Sequence, residues 1–171
     1  SWPHIIASAV LHLGYQVFLL NAYRFGDLTQ IYPVARGASP LLITLFTMIT
    51  VPDVLQLMEV SGVIMISGAI ITYGIVQYRT KSVGFTGIIL AVITGFFIAS
   101  YSIVDAEGTR ITESAISYYG ASTTANAVLF AFYLFWFQPG VFGRIHRDSL
   151  GTFIIGGNAS YFACVAVLWG C

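Results

Sequence analysis

The chain has 171 residues, of which 57% are hydrophobic and only 8% charged, and its mean hydropathy is +0.85. A soluble domain carries about a quarter charged residues, so this chain cannot cover a water-facing surface and reads as an all-α, multi-pass integral membrane protein. Its formal net charge is zero, which excludes the basic surface that nucleic acid would require.

Six apolar segments follow one another, each near the ~20 residues a spanning helix needs. The first, Pro3 to Tyr23, carries a polar line at helical spacing: Ser8, His12, Tyr15 and Gln16. Such a line either hydrogen bonds between helices of a bundle or walls a cavity. His12 is the one histidine expected mid-membrane, where it can titrate.

The second segment, Leu28 to Val51, holds Pro33, Arg36, Gly37 and Pro40. Two prolines remove two helix donors, so this helix is expected to kink or open. Gln30, Pro33, Gly37 and Pro40 share one face, with Tyr32 and Arg36 beside it at four-residue spacing. At ~1.5 Å per residue, Arg36 lies roughly 12 Å along the helix from Leu28. That depth is well inside a hydrocarbon layer of ~30 Å. An arginine there costs on the order of 3 kcal/mol or more, which argues against a lipid-facing position.

The third segment, Leu55 to Val76, contains Glu59 and the small residues Ser61, Gly62, Ser67, Gly68 and Gly74. In the fourth, Phe85 to Val104, Gly87, Ala91, Gly95 and Ala99 recur every four residues and predict a tight helix pair. Tyr101 is near its end and Asp105 just beyond. Asp105 is either solvated at the membrane edge or faces the interior and pairs with Arg36 or substrate. The fifth segment, Ser114 to Phe137, ends in the aromatics Phe130, Phe132, Tyr133, Phe135, Trp136 and Phe137, an interfacial belt. Its Tyr119, Ser122 and Asn126 either hydrogen bond between helices or line an inner face. The sixth, Thr152 to Cys171, holds both cysteines, Cys164 and Cys171, read as free thiols. There is no initial Met, and Cys171 sits inside an apolar run, so the chain reads as cut at both ends.

Connections are short, which makes neighbouring segments antiparallel. The loops after the first, third and fifth segments hold Arg24, Arg79, Lys81, Arg144 and Arg147, against Arg110 alone on the other side. The excess of positive charge makes the first side cytoplasmic. The residues from His4 also align with those from Phe153, matching Ile5, Ile6 and Leu19 to Ile154, Ile155 and Leu168. Segments one and six run in opposite directions, so the match has the form of an inverted repeat.

Four stretches resemble the drug/metabolite transporter superfamily, in its EamA-like branch. They are Ala7 to Tyr15; Ala22 to Leu42 with its core Tyr32-Pro33-Val34-Ala35-Arg36-Gly37-Ala38-Ser39-Pro40; Gly62 to Gly68; and Tyr101 to Arg110. The resemblance implies ten helices in two inverted five-helix halves, this chain matching helices three to eight. Residues 1–76 would then end the first repeat, 77–84 link the repeats, and 85–171 begin the second. The chain departs from the family's pattern at Pro52-Asp53 for a usual glycine–glutamate pair, at Cys164 for a tyrosine, and at Gly170 for an alanine. The family's usual topology would place the Arg24 loop outside; the charge count places it inside, and is followed here.

The function expected is secondary transport of a small metabolite, an organic anion or amino-acid-like compound, by alternating access in a bacterial inner (plasma) membrane. Arg36 would bind a carboxylate or phosphate or act as a fixed counter-charge. Tyr32, Tyr15, His12, Gln30, Tyr101 and Asp105 would line the site. Pro33, Gly37 and Pro40 would open the helix so that backbone groups face it. The partners expected are the substrate and the bilayer, a homodimer being compatible. No cofactor or metal is expected, and proton coupling through His12 or Asp105 is left open. The alternatives are a membrane-embedded enzyme, for which neither a His-Glu-x-x-His nor a Gly-x-Ser-x-Gly motif occurs, and a non-transporting receptor or assembly subunit.

Overall fold

The computed structural model describes residues 2–50, 57–80, 84–112 and 114–138, together with Gly151 and Ile155. Apart from Ile155, the sixth apolar segment, with its two cysteines and the repeat aligned to it, and the Pro52-Asp53 departure lie outside these residues. Within them are five α-helices: α1 (Trp2–Ala22), α2 (Leu28–Thr50), α3 (Leu57–Arg79), α4 (Phe85–Ile111) and α5 (Ala115–Phe137). All five are long and apolar enough to cross a bilayer. Many serine and threonine hydroxyls along them are satisfied by their own helix. Thr44 donates to the Pro40 carbonyl, Thr94 to Leu90 and Ser102 to Ile98. That leaves few polar atoms facing lipid.

The bundle is organised around α4, which packs most extensively on α1 and then on α2; α5 lies mainly on α1, and α3 on α2. Helices α1 and α4 are antiparallel. Phe18 stacks on Phe97 (5.2 Å between ring centroids), His12 on Tyr101 (3.8 Å), and His4 Nε2 lies 4.0 Å from Glu107 Oε2. The four-residue stripe drives the close approach. Gly87, Ala91, Gly95 and Ala99 are all buried. A Cβ built on Gly95 would lie 2.7 Å from Ala38 Cβ and 2.8 Å from the Ala35 carbonyl oxygen. Ala91 joins Ala22, Ile31, Val34 and Ala35 in one buried cluster where α1, α2 and α4 converge.

Two element ends differ from the expectation. Helix α3 runs on to Arg79, and α4 continues through Asp105, Glu107 and Arg110 to Ile111. An apolar run stops at its first charge, but α4 does not, because Asp105 and Glu107 have partners on α1 and α5. Helix α3 exposes Ile64, Met65, Ile71 and Ile75, and an apolar groove of about 600 Å³ lies between α2, α3 and α4. The groove contains none of the residues assigned to the site.

Because α3 and α4 cross in opposite senses, residues just beyond their ends should lie on opposite sides of a membrane. With Cys164 and Cys171 replaced by serine, a cysteine at Thr80 should be shielded from an impermeant thiol reagent in intact cells and one at Thr112 labelled. Reversed labelling would overturn the charge-count orientation.

Candidate functional site

Helix α2 is unbroken through both prolines. This corrects the expectation that Pro33, Gly37 and Pro40 open the backbone, and the reason is local. Proline at position 40 cannot donate to the Arg36 carbonyl, and proline at 33 cannot donate to that of Thr29. The Ser39 hydroxyl donates to the Arg36 carbonyl instead (2.9 Å), and the Tyr73 hydroxyl reaches across from α3 to that of Thr29 (2.7 Å). Both freed acceptors are therefore satisfied by protein hydroxyls. Gly37 is buried against Ile70 of α3, where a Cβ would collide with that side chain. Gln30 caps the start of the helix, its Oε1 accepting from the Asp27 amide (3.1 Å), half of a capping box.

Tyr32 and Arg36 form a unit one turn apart. Arg36 Nε donates to the Tyr32 hydroxyl (2.9 Å), and the guanidinium carbon lies 5.5 Å from the centre of the Tyr32 ring. Both side chains are exposed on the described bundle. The phenols of Tyr15 and Tyr101 are within electrostatic reach of Arg36. No ion pair joins Arg36 to a carboxylate among the described residues.

A second polar group forms where α1, α4 and α5 meet. The Ser8 and Ser122 hydroxyls are buried 2.8 Å apart and tie α1 to α5. His12 Nδ1 lies 2.9 Å from the Ser8 carbonyl oxygen. A carbonyl only accepts, so Nδ1 carries the hydrogen and Nε2 is left as the basic nitrogen. The His12 ring stacks on Tyr101 and meets Tyr15 edge-on at 5.7 Å, with Tyr15 and Tyr101 5.4 Å apart. Asp105 is half-buried rather than solvated at an edge. It accepts from the Tyr118 hydroxyl (3.2 Å), and faces Ser8 and His12 near the middle of α1. It makes no ion pair with Arg36.

The structure thus brings together His12, Tyr15, Tyr101 and Asp105, and places Tyr32 and Arg36 next to them through Tyr15 and Tyr101. Gln30 caps α2 and Gly37 packs against α3, while Pro33 and Pro40 lie within the unbroken helix. Tyr118 was missed by the sequence reading, which took Tyr119. The signal was there: Tyr118, Ser122 and Asn126 recur every four residues on one face. The amide oxygens of Asn126 and of Gln16 are buried without a hydrogen-bond partner among the described residues.

Gly108 makes room for Tyr118, since a Cβ there would collide with the phenol end. Gly108→Ala should displace Tyr118 from Asp105 and cost about 1–3 kcal/mol. Tyr118→Phe loses only the hydrogen bond, about 1 kcal/mol. Thermal unfolding in detergent should rank the two in that order; a neutral Gly108→Ala would contradict this contact between α4 and α5.

No protein-family model, curated protein or solved structure matches the chain.

Proposed function

We propose that the chain is part of a secondary transporter of small anionic metabolites, built on the EamA-like plan of inverted repeats that its motifs resemble. Arg36 carries the reading. It is a permanent cation well inside a spanning helix, held by Tyr32 and not paired with any carboxylate among the described residues. A charge so placed is costly without a partner in direct contact, and a transported carboxylate or phosphate supplies that contact only while bound. The aromatic and polar side chains beside it, Tyr15, Tyr101 and His12, give a substrate a wall of hydrogen-bonding groups and ring faces. Such a site needs no cofactor.

Counterflow of labelled metabolites in proteoliposomes of the whole protein is the test. Exchange of an anionic metabolite is expected. Exchange confined to cations, or specific binding of a metabolite with no exchange of any, would sink the reading; the second result would leave a receptor.

A further inference from the structure

The Asp105 carboxylate sits roughly 9 Å inside the end of α4, six residues at ~1.5 Å each from Ile111, and opposite the middle of α1. Every element packed around it can be named. From α1 it faces Ser8 and His12; the other α1 histidine, His4, lies beside Glu107 instead. From α5 it receives the Tyr118 hydroxyl. On α4 itself the nearest ionisable neighbours along the helix are Tyr101 and Glu107, one turn back and half a turn on. From α2 the only ionisable side chains near this layer are Tyr32 and Arg36, and Arg36 reaches it through Tyr101, which stacks on His12 and lies within electrostatic range of Arg36. No lysine or arginine pairs with Asp105 among the described residues.

The charges of this layer can be counted. With Arg36 positive, Asp105 ionised and His12 neutral, the core is neutral without a ligand. An anion arriving at Arg36 leaves it one charge negative, in a medium that resists net charge. His12 Nε2 and the Asp105 carboxyl are the two groups there that can accept a proton. We infer that the Asp105–His12 pair takes up one proton when an anion binds at Arg36, so that the two enter the core together. The inference rests on the anion reading of Arg36. By reciprocity, protonating the pair raises anion affinity as much as the anion raises proton affinity. Above the pH at which the pair titrates, anion affinity falls about tenfold per pH unit, one decade per proton.

Two measurements on the whole protein separate this from the function itself. The first needs no substrate: infrared difference spectroscopy of the purified protein through a pH titration. A carboxyl band that is lost in Asp105→Asn is expected, and its midpoint should move in both His12→Asn and Arg36→Gln. A midpoint indifferent to both variants overturns the pair. Should Asp105→Asn fail to fold, the response of the wild-type carboxyl signal to His12→Asn decides the question. The second imposes an inside-alkaline pH gradient on proteoliposomes and follows whichever labelled monoanion exchanges. Symport with one proton accumulates the anion about tenfold per unit of pH difference, and Asp105→Asn should abolish that accumulation. Wild-type exchange that ignores the gradient overturns the proton inference and leaves the anion reading standing. If no anion exchanges, the anion reading fails, and with it the linkage.

Discussion

Arg36→Gln should abolish binding of anionic metabolites to the purified whole protein while the protein still inserts and folds. The guanidinium stays protonated at any physiological pH, and Tyr32 engages it through Nε and a ring face, leaving the outer nitrogens of the fork with no hydrogen bond among the described residues. Those are the atoms that grip a carboxylate or phosphate bidentately. Losing a charge-assisted pair of such bonds costs on the order of 3 kcal/mol or more, over a hundredfold in affinity. Arg36→Lys keeps the charge and loses the fork, so it should bind measurably but weakly. Folding should tolerate both, since the Arg36 side chain is exposed on the described bundle and its carbonyl is held by Ser39. Binding measured across anionic, neutral and cationic metabolites decides the matter. If cations bind best and Arg36→Gln leaves them unaffected, the arginine is a structural pin.

What could be read from the sequence was whatever repeats or stands out against an apolar background. Five of the expected spans appear as helices because length and hydropathy determine them almost alone, and the stripe at Gly87, Ala91, Gly95 and Ala99 announces a close helix contact by its period. Three features were hidden, each for a physical reason. Asp105 ended the apolar run and so looked like an edge, because hydropathy counts its charge and cannot see Tyr118, Ser8 and His12 on two other helices. The prolines of α2 looked like an opened backbone, because the rule for proline subtracts a donor. The replacement from Ser39 is local, but that from Tyr73 comes from a residue distant in sequence. Tyr118 was passed over for its neighbour because two adjacent tyrosines on a uniformly apolar helix leave the face ambiguous until Gly108 of α4 selects one. The pattern is general for helices in lipid: spans are local properties, whereas the fate of each polar atom is settled between helices.

Gly95→Leu should be the most damaging single change to the fold. The contact it breaks is between backbones. Even a methyl group at position 95 would lie 2.7 Å from Ala38 Cβ and 2.8 Å from the Ala35 carbonyl oxygen, so α4 and α2 must separate. Overpacking a well-filled core costs about 1–3 kcal/mol. Here the larger value is expected for Gly95→Ala and more for leucine, because the neighbour that must yield is main chain rather than a flexible side chain. Separation would also disturb the layer around Ala91 and Ala35 and, through α2, the position of Arg36. Val92→Leu, on the exposed face of the same helix at 45% exposure, should change the thermal midpoint little. A second substitution sharpens the test. Ala38→Gly removes one of the two colliding groups and leaves the carbonyl of Ala35, so it should recover part of the loss caused by Gly95→Ala but not all, a less than additive double change. Folded yield and the unfolding midpoint in detergent measure the four single variants and the double. Equal tolerance of leucine at 95 and at 92 would mean that the stripe faces lipid, and that α4 does not meet α2 through its small residues.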